Sequence, residues 1–206
     1  MRRTKEEAAR TRKDIVEAAL ACFDRHGIAG TTLEQIAEQA SVTKGAVYWH
    51  FTGKAEILHA IREEASLPLL DRADCALLRF AEVSPLARIQ RFLEGMLDTI
   101  ETDSRVRRAL TVMHYKCEYA DNLAGELGDM RRNNERLVKS LQQAYLEARK
   151  SGELTRELTP RLAALDTMVF LAGLVRLTLL DRARDGVRKN LAALIRAHVA
   201  SRRAPA

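Results

Sequence analysis

Thr31-Thr-Leu-Glu-Gln-Ile-Ala37 and, shortly after it, Val42-Thr-Lys-Gly-Ala-Val-Tyr-Trp-His-Phe51 decide how this chain folds. Thr32 followed three residues later by Gln35 has the form of a capping box, in which the threonine hydroxyl accepts from the Gln35 amide and the Gln35 side chain reaches back. A short helix then turns Leu33, Ile36, Ala37 and Ala40 inward. The chain reverses through Ser41 and Val42 and starts again at Thr43, a good N-cap, with Val42 and Val47 placed as a hydrophobic staple. Two short helices joined by a tight turn, with small alanines where they cross, form the helix-turn-helix pattern.

The second of these helices is distinctive for what it leaves outside. With Val47 and Phe51 facing a core, Lys44, Tyr48 and His50 point outward, and Gly45 and Ala46 make a low leading edge. Such an edge lets the backbone approach base edges and phosphates in a major groove about 12 Å wide. Tyr48, Trp49 and His50 are suited to donate to phosphates or to pack on a thymine methyl. Lys44 and Lys54 each sit in the first turn of a helix, where the dipole disfavours a cation by a few tenths of a kcal/mol. A phosphate would reverse that penalty. The basic arm Arg2, Arg3 and Lys5 is placed to add backbone or minor-groove contacts.

Outward from this core the pattern stays helical, and no stretch alternates long enough to suggest a strand. The expected class is all-α. A first helix carries Ile15, Ala18, Ala19, Cys22 and Phe23 on one face and stops at Gly27, which suits a left-handed cap. After the two short helices, longer ones are expected from Lys54 to about Phe80, Pro85 to Glu101, Arg105 to Glu118, Leu123 to about Gly152, Pro160 to Leu180 and Asp185 to Arg202. Pro68 inside the first of these removes a backbone donor and predicts a kink. Short helices before Lys54 and long ones after it predict two domains, 1–53 and 54–206.

The 206 residues, 47% hydrophobic and 30% charged with a net charge of +6, have an ordinary globular balance. Residues 1–54 hold nine basic and seven acidic side chains, so position and not total charge carries the argument for nucleic acid. Cys22, Cys75 and Cys117 have no metal-like spacing and read as reduced thiols. His114, Cys117 and Glu118 share a helix face but lack a second ligand cluster or an orienting third group, which speaks against a metal sensor or a cysteine hydrolase. No metal, cofactor or catalytic residue is expected. The charged N-terminus lacks a signal-peptide core, and the apolar run Met168–Val175 is far shorter than the roughly 20 residues of a span. The expected location is the cytoplasm, without a membrane partner.

The quoted helix-turn-helix, continued by Lys54-Ala-Glu-Ile-Leu58, closely resembles the DNA-binding domain of the tetracycline-repressor (TetR) family of transcriptional regulators. The opening Arg3-Thr-Lys-Glu-Glu-Ala8 and the segment His114-Tyr-Lys-Cys-Glu-Tyr119 are similar to the AcrR and TtgR branch, repressors of multidrug efflux operons. The resemblance implies nine helices: the first three for DNA, the fourth to seventh around a ligand cavity, the last two for homodimerisation. It implies DNA contacts at Thr32, Thr43, Lys44, Tyr48, His50 and Lys54, and a palindromic double-stranded operator. Where AcrR-like proteins often carry a tryptophan near the end of the eighth helix, this chain has Leu177-Thr-Leu-Leu180.

The C-terminal helices carry more apolar residues than one packing face requires. Met168–Val175 is apolar all round, which predicts burial on every side, one side against a partner subunit and the other toward a cavity. Candidates to line a cavity for a lipophilic effector are Leu67, Leu70, Ile89, Phe92, Leu93, Met96, Leu110, Met113, Leu137, Leu141, Met168, Leu171 and Val175, with methionines giving an adaptable wall. His114, Cys117 and Arg176 are the polar candidates, and Arg176 has a second reading as an ion-pair partner across a dimer. Two other functions stay open on sequence alone: a TetR-like regulator of another pathway, by repression or activation, and a helical protein-interaction module.

Overall fold

The computed structural model describes residues 4–78, 83–117, 124–181 and 186–205. Among them are nine helices and no strand: α1 Lys5–His26, α2 Leu33–Gln39, α3 Lys44–His50, α4 Lys54–Leu78, α5 Pro85–Thr102, α6 Ser104–Tyr115, α7 Ala124–Lys150, α8 Pro160–Leu180 and α9 Val187–Ala200. The chain divides into two compact units, one within Met1–Leu67 and Arg105–Gly128, the other within Pro68–Ser104 and Asp129–Ala206. Helix α4 continues through Pro68, and the division falls between Leu67 and Pro68.

In the first unit, α1 is set by its ends and its apolar stripe. Thr4 and Glu7 form a reciprocal capping box, and Ile15, Val16, Ala19, Leu20 and Phe23 are fully buried. Gly27 closes the helix with φ 73°, but its ψ of 166° is extended, so the positive φ expected of a cap is present without the left-handed helical turn. Gly30 is required sterically, because a Cβ there would lie 2.6 Å from the His26 carbonyl oxygen. Ile36, Val47, Phe51, Ile57, Leu58 and Ile61 complete the core. Ala109, Val112 and Met113 of α6 belong to the same core. Burying a residue such as Phe51 is worth about 3–5 kcal/mol against alanine.

In the second unit, Leu86, Ile89, Phe92, Leu93, Leu97 and Ile100 form the buried face of α5, and Leu137, Leu141, Ala144, Tyr145 and Ala148 that of α7. Ion pairs fasten the ends of its helices: buried Arg88 with Glu147, Arg188 with Glu101, and Arg202 with Asp166. The α9 end is pinned to the α7–α8 connection by Thr155 N–H to Arg202 O at 2.9 Å and Ala204 N–H to Glu153 O at 2.7 Å.

Helix α8 is buried on one side only within the protomer. It buries Ala163, Ala164, Thr167, Leu171, Leu174 and Val175, yet Leu162, Leu165, Val169, Leu177 and Leu180 on its other side are exposed, Val169 by 72%. An apolar circumference does not mean burial on every side of a single protomer. By length and composition α8 is also the one described helix able to cross a membrane, but seven of its residues are part of the protomer's interior.

Candidate nucleic-acid interface

The helix-turn-helix forms as its sequence dictates. Thr32 Oγ1 accepts from Gln35 N–H at 3.2 Å, and Thr32 N–H donates to Gln35 Oε1 at 2.8 Å. Thr43 Oγ1 accepts from Ala46 N–H at 3.1 Å. Each hydroxyl still has its own proton to donate, which at Thr32 goes to the neighbouring Glu34 carboxylate. Leu33, Ala40 and Val42 are partly buried against the core that holds Val47.

The turn between α2 and α3 is a Schellman closure. Ser41 N–H reaches Glu38 O at 3.0 Å and Val42 N–H reaches Ala37 O at 2.9 Å. Ser41 occupies the position with φ 56°, where glycine is the usual residue. This closure fixes the angle at which α3 leaves α2.

On α3 the exposed residues are Lys44, Gly45, Tyr48 and Trp49, the last two by 53% and 73%. His50 is half-buried, its ring edge-on to Trp49 at 4.5 Å between centroids. The outward set expected from sequence thus has Trp49 further into solvent than His50. Gly45 answers to nothing inside the protein: a Cβ there would meet only Thr43 Oγ1, at an ordinary 3.9 Å.

The two lysines differ. Lys44 is exposed and pairs with Glu34 of α2, whose hydrogen bond raises the Lys44 pKa while the lysine lowers that of Glu34. Lys44 also lies 5.8 Å from the Tyr48 ring centre. Lys54 instead turns inward: its ammonium donates to the carbonyls of Ile28 at 2.6 Å, Thr31 at 2.8 Å and Ala29 at 3.4 Å. The dipole penalty expected at Lys54 is thus met by three carbonyl oxygens of the α1–α2 connection. The other fixed point of the motif is Phe51, covered by the Arg12 guanidinium 4.9 Å above its ring. Neither the Lys54 carbonyl cluster nor Arg12 was found by sequence reasoning, since neither belongs to a local pattern.

Arg2 and Arg3 lie outside the described residues, as do the side chains of Leu67 and Leu70. Of the expected effector-lining residues, Ile89, Phe92, Leu93, Leu137, Leu141, Leu171 and Val175 are buried on α5, α7 and α8 of the second unit, with Met96 and Met168 half-buried. Met113, Leu110 and Cys117 instead pack on the core of the first unit, and His114 lies half-buried on the same helix as the first two. Arg176 is exposed in the protomer, on the side of α8 that also bears Leu177 and Leu180, and is not enclosed as an interior polar group. No group of three or more histidine, cysteine or acidic residues is placed to hold a metal among the described residues.

Comparison with known proteins gives this geometry its context. Residues 15–61 match the family model of bacterial regulatory proteins, tetR family, and residues 84–200 match the C-terminal region of MAATS-type transcriptional repressors. The HTH-type transcriptional regulator TtgR of Pseudomonas putida is 37% identical over 188 residues, covering 87% of this chain and 85% of the relative. Among solved structures, NalD, the secondary repressor of the MexAB-OprM multidrug efflux pump in Pseudomonas aeruginosa, superposes with a TM-score of 0.86 at 26% identity over 97% of this chain and 98% of its own. The SmeT–triclosan complex superposes with a TM-score of 0.80 at 26% identity, covering 93% of this chain and 90% of that one. With its helix-turn-helix and its C-terminal helices both matched, this chain belongs to the TetR family of bacterial transcriptional regulators.

Proposed function

We propose that this protein is a homodimeric repressor of a multidrug efflux operon, released from a palindromic operator by lipophilic small molecules. The observation that carries the DNA half is the exposed α3 surface of Lys44, Gly45, Tyr48 and Trp49, set at a fixed angle by the Schellman turn and flanked by the capping hydroxyls of Thr32 and Thr43. Nothing in the protein's own packing asks for two exposed aromatics and a glycine there. Major-groove readout does. Lys44 exchanges Glu34 for a phosphate, Ala46 keeps the leading edge low, and His50 supports Trp49. Arg2 and Arg3 add backbone contacts. Lys54 acts on DNA chiefly by holding the loop that presents Thr32.

In this reading residues 1–53 form the DNA-binding domain and residues 54–206 bind effector and dimerise. One seven-residue helix reads few bases, so two are needed, about 34–36 Å apart in successive major grooves. The exposed side of α8, with Leu194 of α9, supplies the apolar contact between protomers. The buried residues of α5, α7 and α8 line the effector site, and the likeness to NalD, repressor of a multidrug efflux pump, and to SmeT, solved with triclosan, supports the choice of operon and ligand class. The protein works in the cytoplasm, without a cofactor and without catalysis.

Footprinting on the intergenic DNA beside the protein's own gene tests this. Two protected half-sites related by a two-fold axis are expected, with Lys44→Ala and Tyr48→Ala changing preference among half-site bases more than affinity for random duplex. Phe92→Ala and Met96→Ala should change the concentration of triclosan needed for release and leave ligand-free protection intact. A single unsymmetric patch, or equal protection of random DNA, would refute the proposal.

A further inference from the structure

Arg105 stands where the chain returns from the second compact unit to the first. The chain passes between the units after Leu67, Ser104 and Gly128. Glu64 lies one helical turn before the first of these passages, and Arg105 is the first residue after the second. Its guanidinium uses two edges for two different helices: Nε pairs with Glu17 of α1, and a terminal nitrogen reaches Glu64 of α4 at 2.6 Å. The other oxygen of Glu64 lies 3.8 Å from Arg12 of α1, and Arg12 covers the ring of Phe51 at 4.9 Å. Phe51 ends the recognition helix, its N–H donating to Val47 O at 2.9 Å. Four charged side chains therefore join α1, α4 and the start of α6 to the end of α3.

The side chains of Arg105, Glu17 and Glu64 are each about one-third exposed, so the pairs are screened only in part. Two carboxylates held this close to one another need the cation between them, and only a planar fork reaches both at once. A lysine offers a single point charge. Without the cation, the start of α6 would lose its pairs with Glu17 of α1 and Glu64 of α4, while Lys116, just past the other end of α6, would keep its pair with Asp24 of α1 at 3.1 Å.

We propose that Arg105 is a positioning residue for operator release: it binds the start of α6 to α1 and α4, so that a displacement of α6 or α4 on effector binding is carried through Arg12 and Phe51 to the recognition helix. This inference rests on the effector-released repressor proposed above. It adds the residues that carry the coupling. The coupling is the factor by which effector changes operator affinity, and it is reciprocal, so it can be read from either ligand.

The experiment uses the full-length protein, an operator duplex and triclosan as probe, with wild type, Arg105→Gln, Arg105→Lys, Glu64→Gln and the double variant Arg105→Gln/Glu64→Gln. Operator Kd is measured without and with saturating triclosan, triclosan Kd by calorimetry, and folding by thermal denaturation. Arg105→Gln should bind triclosan within about threefold of wild type, while the factor by which triclosan weakens operator binding falls about fivefold or more. Glu64→Gln should do the same, the double variant should be no worse than either alone, and Arg105→Lys should keep part of the coupling. A folded Arg105→Gln protein with the wild-type factor overturns the inference, as does a loss of triclosan binding that accounts for the whole change. If Arg105→Gln does not fold, wild-type coupling in both Glu64→Gln and Arg105→Lys overturns it. A wild-type operator complex that triclosan never weakens overturns the repressor reading and this inference together, whereas release of wild type and of every variant by the same factor overturns this inference alone.

Discussion

Ser41 is a serine where the backbone asks for glycine. Its φ of 56° costs an L-residue about 1 kcal/mol, and the Schellman closure around it holds the strain in place. Ser41→Gly should therefore raise unfolding free energy by about 1 kcal/mol in urea titrations, with the midpoint shifted and the slope unchanged. Gly45 is the reverse case, a glycine where the fold would accept a side chain. Gly45→Ala should stabilise the folded protein by about 0.5 kcal/mol and yet weaken operator binding, because the added methyl stands on the surface that meets DNA. Improved stability with undiminished operator affinity would remove Gly45 from the interface. Both residues were visible in the sequence as parts of a helix-turn-helix. Only coordinates separate the one that is strained from the one that is idle.

At the level of the helices, most ends were legible because caps are local. Thr32, Thr43, Pro85 and Pro160 begin helices where their chemistry predicts. Long-range assignments were not legible. The apolar face of α6 has the same periodicity whether it lines a cavity or, as here, packs on the core of the first unit. The carbonyl partners of Lys54 lie 23 to 26 residues away, and the carboxylate partners of Arg105 lie 41 and 88 away, beyond any periodic signal. One further group belongs to this scale. His198 of α9 stacks on Phe170 at 3.8 Å and meets Thr167 Oγ1 at 3.0 Å, while Thr167 meets the buried Tyr145 hydroxyl at 2.7 Å. Burial pushes the His198 pKa down to about 4. The folded protein thus holds this imidazole neutral while the unfolded chain protonates it near pH 6.5, so its contribution is complete above pH 6.5 and lost as pH falls toward 4. Between pH 7 and 4.5 it should cost roughly 2 kcal/mol of stability once solvent screening is allowed for. Denaturation of the His198→Phe protein should show a flatter profile across that window, and an unchanged profile would assign the pH dependence to other groups.

For the whole molecule the decisive surface is the one a single protomer leaves unfinished. The run Met168–Val175 was read from sequence as buried on every side, one side against a partner subunit, and in the single protomer its Val169 is 72% exposed. The sequence pattern holds only if a second copy supplies the missing neighbours, which is the assembly a two-fold operator requires. Val169→Asp should give a folded monomer by analytical ultracentrifugation, with operator affinity reduced at least about tenfold because one recognition helix must then bind alone. A dimer of unchanged affinity would move the interface elsewhere. The central claim, a DNA-binding repressor that a lipophilic molecule releases, is tested most directly by fluorescence anisotropy on labelled duplex from the promoter beside the gene. The account predicts saturable binding of dimers at least about a thousandfold tighter than to scrambled duplex at the same salt, with triclosan raising the operator Kd. Equal affinity for promoter and scrambled DNA, in a protein shown to be folded and dimeric, would contradict it.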